Sequence, residues 1–143
     1  MKKNIKTVLL FVFSFSGLLF AGYLSGVKFF DETCAFNEPC PYFLGYPACY
    51  YGLLMYLILS VVSGLLLLSY VSKKGGLKTM SLVSFLGILF AGYFTIKELP
   101  VLFADGLGAY ALGLPTCALG LMFYILIFVL SLRKDHESQI LTQ

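Results

Sequence analysis

Gly17-Leu-Leu-Phe-Ala-Gly-Tyr23 returns later in the chain as Gly87-Ile-Leu-Phe-Ala-Gly-Tyr93. Gly45-Tyr-Pro-Ala-Cys-Tyr-Tyr-Gly-Leu-Leu-Met-Tyr56 returns as Gly113-Leu-Pro-Thr-Cys-Ala-Leu-Gly-Leu-Met-Phe-Tyr124. The second pair shares the frame Gly-x-Pro-x-Cys-x-x-Gly-x-x-x-Tyr. Self-similarity of this kind marks a duplicated structural unit. It predicts two related helical hairpins, repeat 1 over about residues 7–70 and repeat 2 over about 79–132, with one cysteine at the same place in each.

The repeats are strongly apolar. Of 143 residues, 59% are hydrophobic and 12% are charged, and the mean hydropathy is +0.91. A soluble domain could hide little of that surface, so the composition points to a membrane protein. Four apolar segments, about 7–27, 46–70, 79–96 and 111–132, are each read as long enough for a spanning helix, which needs roughly 20 residues. Helices cross lipid because they satisfy their own backbone polar groups. The expected fold is therefore all-α: an integral membrane four-helix bundle, one domain over 1–143 with a cytoplasmic tail at 133–143. The basic, apolar start also has the pattern of a secretory leader. Its core is copied in the third segment, however, so it is read as a retained span.

Lys2, Lys3 and Lys6 precede the first span, Lys73, Lys74 and Lys78 lie between the second and third, and Arg133 and Lys134 follow the fourth. Lys and Arg favour the cytoplasmic side, which places both termini inside and the connections 28–45 and 97–110 outside. Topology then accounts for the net charge of +3. No basic patch interleaved with exposed aromatics points to nucleic acid. His136 stands alone in the tail, and no H-x-x-x-H, C-x-x-C or Walker spacing occurs, so metal and nucleotide chemistry find no support. No ionisable residue interrupts the middle of a span, which weakens a transporter reading.

All four cysteines fall on the expected outer side, where disulfides persist. Cys34 and Cys40 lie in the first outer connection, next to Pro39 and Pro41. They are either a clasp or an exchangeable redox pair. Cys49 and Cys117 follow Pro47 and Pro115 by two residues. If the prolines occupy the first helical position, both cysteines sit in the first turn. There the unpaired N–H groups and the positive end of the helix dipole favour the thiolate. The spacing of Gly45, Cys49, Gly52 and Tyr56 puts them on one helix face, as it does Gly113, Cys117, Gly120 and Tyr124. Similar faces turned to one axis bring Cys49 and Cys117 together, with Tyr56 and Tyr124 deeper in the bundle. The plainer alternative is two buried cysteines and two packed tyrosines. Gly22 and Gly26 form a G-x-x-x-G pair expected to pack helices closely.

At these residues the chain resembles the vitamin K epoxide reductase family, chiefly its bacterial and archaeal type. The resemblance covers about residues 7–132 and is most specific at Gly45-x-Pro47, Gly52 and Tyr56, with Cys34 and Cys40 as the loop pair. It implies a four-helix bundle that holds a quinone and draws electrons from a thioredoxin-like extracytoplasmic partner. The family's fourth helix opens with C-x-x-C, whereas this chain has Leu114-Pro115-Thr116-Cys117. Either Cys49 supplies the missing partner of Cys117, or the quinone chemistry is absent. The expected function is a membrane thiol–disulfide oxidoreductase, with Cys34, Cys40, Cys49 and Cys117 catalytic and Gly52, Tyr56, Gly120 and Tyr124 around the quinone. The alternative is a non-enzymatic membrane scaffold with structural disulfides.

Overall fold

The structure, a computed structural model, describes residues 5–31, 42–105 and 116–133. Cys34, Cys40, Gly113 and Pro115, and the side chain of Cys117, lie outside the described residues. Four helices make up nearly all of what is described: α1 (Ile5–Asp31), α2 (Ala48–Leu67), α3 (Lys73–Asp105) and α4 (Thr116–Leu132). Each helix follows from a run of Leu, Phe, Ala and Met, and glycines inside these runs are tolerated because packing decides. Three helices are long and apolar enough to cross a membrane, over Ile5–Phe30, Ala48–Leu67 and Lys73–Pro100. With 17 residues, α4 is shorter, spanning about 25 Å at 1.5 Å per residue.

The helices pack in a ring in chain order. The α1/α2 and α3/α4 hairpins make the broadest contacts, and α2/α3 and α1/α4 close the ring. At one end Lys6 Nζ donates to the carbonyl of Arg133, tying the start of α1 to the end of α4. The cysteine-bearing starts of α2 and α4 stand at the other end.

The duplication is visible in the core. Positions in α1 and α3 correspond at an offset of 70 residues, and those in α2 and α4 at an offset of 68. Leu10 and Met80, Ser14 and Ser84, Ala21 and Ala91, and Leu24 and Phe94 are buried mates on the first pair. Tyr56 and Tyr124, Leu59 and Ile127, and Ser63 and Ser131 are buried mates on the second. The serines are less hydrophobic than their neighbours; three are satisfied by bonding back to their own helix, while the Ser14 hydroxyl is buried without a hydrogen-bond partner. Ser63 Oγ donates to Ser60 O at 3.0 Å, Ser131 Oγ to Phe128 O at 2.7 Å, and Ser84 Oγ to Met80 O at 2.6 Å.

Several expectations need correction. α3 does not end near residue 96. It runs to Asp105 through Pro100, whose missing N–H removes only one backbone bond. Lys97 and Glu98 are therefore helical, and Lys97 Nζ sits 4.4 Å from the centre of the Tyr93 ring. Lys73, Lys74 and Lys78 likewise belong to α3 rather than to a loop.

Gly45 is not on the α2 face. Tyr42–Phe43 (β1) and Tyr46–Pro47 (β2) form a small antiparallel hairpin, Tyr42 opposite Pro47 and Phe43 opposite Tyr46. Leu44 and Gly45 make its turn with φ of 53° and 86°. Two positive φ values give a turn whose twist matches the paired strands, a demand usually met by Asn-Gly. Leucine at such a φ is strained, so Leu44→Asn is expected to stabilise the fold by about 0.5–1 kcal/mol. In detergent this corresponds to a melting temperature higher by about 2–4 °C.

Pro47 is the N-cap of α2, with φ −59° and ψ 138°, one position earlier than expected. Cys49 is thereby the second residue of α2, and Cys117 is the second residue of α4.

Candidate functional site

About halfway along α2 and α4 the two repeats meet through their tyrosines. The Tyr56 and Tyr124 rings stack with centres 4.4 Å apart and planes 11° apart. Each reaches across to the other hairpin. Tyr56 Oη donates to Gly120 O at 2.7 Å, and Tyr124 Oη donates to Gly52 O at 3.4 Å. Each ring also lies flat on a glycine of the helix beside it. A Cβ at Gly87 would stand 2.5 Å from Tyr124 Cδ1 and Cε1, and a Cβ at Gly17 would stand 2.5 Å from Tyr56 Cδ1. A glycine, a tyrosine and a receiving carbonyl thus recur on both sides of an approximate two-fold axis, in the self-complementary manner of an isologous contact.

This arrangement gives the copied residues a shared physical cause. Gly17 and Gly87 are flat seats for aromatic rings. Gly52 and Gly120 present carbonyls with no side chain in the way; a Cβ at Gly52 would meet nothing within 4 Å, and one at Gly120 would meet Tyr56 Oη at 3.8 Å. The G-x-x-x-G pair is not a tight contact: at Gly26 there is open space, and at Gly22 only Leu53 Cδ1 comes near, at 3.8 Å. Phenylalanine in place of each tyrosine separates the two hydrogen bonds. The shorter bond makes Tyr56→Phe the more costly, about 1–1.5 kcal/mol, and Tyr124→Phe is expected to cost less than about 1 kcal/mol, as read by thermal unfolding of the purified protein.

Directly beside the tyrosine pair lies an apolar cavity of about 70 Å³. Phe20 and Phe90, Ala21 and Ala91, and Gly52 and Gly120 line it as repeat mates, with Tyr56 and Tyr124 beside them. Leu24 and its mate Phe94, and Ala48 and Cys49 of the first turn of α2, complete the wall. The structure therefore gathers Cys49, Gly52, Tyr56, Gly120 and Tyr124 around one space. Cys49 is half-buried, and its carbonyl accepts from Ser25 Oγ at 3.3 Å. An apolar cavity of about 150 Å³ holds benzene, so a ring enters this smaller space only if lining side chains move outward. Among the described residues no cluster of three His, Cys, Asp or Glu could hold a metal ion.

The tyrosines near the start of α2, Tyr51 among them, read from sequence either as an interfacial belt or as a pocket wall, whereas Phe43, Phe90 and Phe94 were not foreseen. Phe43, Tyr51, Phe90 and Phe94 form one cluster in which the Phe43 ring is edge-on to the other three, with centres 5.4, 5.5 and 6.4 Å away. Tyr51 Oη donates to the Phe43 carbonyl at 3.1 Å. The available signal was the copied Phe in Leu-Phe-Ala-Gly, since Phe20 and Phe90 are mates that both face the cavity.

No protein-family model matches the chain, and neither the curated proteins nor the solved structures contain a match to it.

Proposed function

We propose that the protein is a membrane thiol–disulfide oxidoreductase of the vitamin K epoxide reductase type that uses a lipid quinone. In this reading both termini are cytoplasmic, consistent with the lysines at the Lys6 end of the bundle, and all four cysteines face the extracytoplasmic side. A thioredoxin-like dithiol reduces a Cys34–Cys40 disulfide and is itself oxidised to a disulfide. The Cys34/Cys40 dithiol then reduces a Cys49–Cys117 disulfide through a mixed disulfide. Cys49 and Cys117 pass two electrons and two protons to the quinone, which leaves as quinol while their disulfide re-forms.

One observation carries this reading: Cys49 borders an apolar, aromatic-walled cavity inside the bundle. The tyrosine pair supports it further. Gly52 and Gly120, each three residues beyond a cysteine, are bridged to the opposite helix by the two tyrosine hydroxyls. The two hydroxyls thus link α2 and α4 across the axis, three residues beyond each cysteine. The lining suits a ring by its apolar character, and binding widens the cavity. The test is dithiol-driven quinone reduction by the purified protein, comparing the wild type with Cys49→Ser and Cys117→Ser.

A second reading has its own support. The reciprocal Tyr56/Tyr124 contact explains the copied glycines and tyrosines as packing, which is what a non-enzymatic scaffold built from a duplicated hairpin needs. Thiol trapping in native membranes separates the two. A mixture of redox states that responds to added quinone supports the enzyme, and permanently paired, inert sulfurs support the scaffold.

A further inference from the structure

The cavity is two-fold at its floor and one-sided at its rim. Tyr56 and Tyr124, Gly52 and Gly120, and Ala21 and Ala91 are matched pairs, so the floor does not distinguish one repeat from the other. The rim does. On the α3 side Phe43, Tyr51, Phe90 and Phe94 form a continuous aromatic wall. In sequence their mates are Ala111, Leu119, Phe20 and Leu24, of which only Phe20 is aromatic. Two of the wall's rings, Phe90 and Phe94, line the cavity directly, as does Leu24 on α1.

The wall is also braced. Phe43 is carried on the β1–β2 hairpin, whose backbone takes two positive φ values to make the turn. Its ring meets Phe90 at 87° and Phe94 at 90°, edge-to-face geometries favoured by ring quadrupoles. Its carbonyl is held by Tyr51 Oη. Phe90 and Phe94 are themselves packed with centres 5.0 Å apart. Phe20 keeps the α1 side partly aromatic, so the difference between the two sides lies at Leu24 against Phe94: rings favour flat unsaturated groups, and the leucine accepts a flexible chain.

We infer that the cavity binds a flat ring bearing an aliphatic tail in a single orientation, with the ring on the Phe90/Phe94 wall and the tail over Leu24, and that Phe43 is the positioning residue that holds this wall. This rests on the reading of the cavity as the quinone site, and it adds which side takes which part of the ligand. Phe43 acts through Phe90 and Phe94, so its loss should weaken recognition of the ring whether or not a tail is present. Leu24 touches only the tail.

The test is equilibrium binding to the full-length purified protein of two probes, menadione (a naphthoquinone ring without a tail) and decylubiquinone (a ring with a ten-carbon tail). Phe43→Ala is expected to weaken both about tenfold, and Leu24→Ala to weaken decylubiquinone alone. Should Phe43→Ala fail to fold, Phe43→Leu keeps the apolar bulk and is expected to weaken both probes about threefold. Binding by the folded Phe43 variant within twofold of wild type overturns the inference while leaving the quinone site standing. So does an equal loss of menadione in Leu24→Ala. A wild-type protein that binds neither probe overturns both the inference and the reading beneath it.

Discussion

Alanine at Gly17 or at Gly87 is expected to destabilise the bundle by about 1–3 kcal/mol each, and the double substitution to leave little folded protein. Two effects oppose each other. Alanine favours a helix over glycine by about 1 kcal/mol. Against this, the new methyl meets ring carbons of Tyr56 or Tyr124 well inside van der Waals contact. Retreat of either ring is costly, because each is stacked on the other at 4.4 Å and tethered by its hydroxyl to the opposite helix. The clash therefore wins. Gly26→Ala and Gly92→Ala provide the contrast, since a Cβ at either site meets nothing within 4 Å. These two are expected to be neutral or slightly stabilising, although all four glycines lie in apolar helices and read alike in sequence. Thermal unfolding in detergent measures the set. Combining Gly17→Ala with Tyr56→Leu should cost less than the sum of the two, because the second change removes the ring that the first one strikes. Strict additivity would show that Gly17 does not serve as the seat of Tyr56.

Cys49→Ser and Cys117→Ser are each expected to lower dithiol-driven quinone reduction at least about a hundredfold, because serine cannot form the mixed disulfide through which the electrons pass. The fold should survive both changes, since serine is close in size and the tyrosine pair is untouched. Gly52→Ala supplies an independent check on the cavity. Its methyl enters open space rather than striking a neighbour, so the protein should fold while a ring is partly excluded. The expected signature is a raised KM for quinone with a smaller change in kcat. Turnover that persists unchanged in both cysteine variants would remove the central pair from the mechanism and leave the scaffold reading in place.

The helices were legible because burial in lipid writes itself into composition: long apolar runs between clusters of lysine are visible without coordinates. Their limits were less so. An outer connection was expected at 97–110 where α3 continues to Asp105, because one lost backbone bond at Pro100 is tolerated when neighbouring turns hold the helix. The hairpin at 42–47 was hidden for a related reason. Its turn is Leu44-Gly45 instead of Asn-Gly, so the usual turn signal is half missing and Gly45 was counted into the helix. Cys49, Gly52, Tyr56, Gly120 and Tyr124 do share one cavity. The tyrosine hydroxyls, however, are engaged with carbonyls of the opposite hairpin rather than directed to a ligand.

The sequence by itself determined an all-α chain of two alike apolar hairpins, each with a cysteine near the start of its second helix, because period, length and repetition are local properties. Only the tertiary structure decided why particular residues had to be copied. Tyr56 meets Gly120 and Tyr124 meets Gly52 across 64 and 72 residues, and such contacts depend on how helices are placed around an axis. The same holds for the difference between Gly17, where a ring lies on the backbone, and Gly26, where nothing does. It holds as well for the aromatic wall, whose members come from a hairpin, α2 and α3 and become one surface only when the bundle closes.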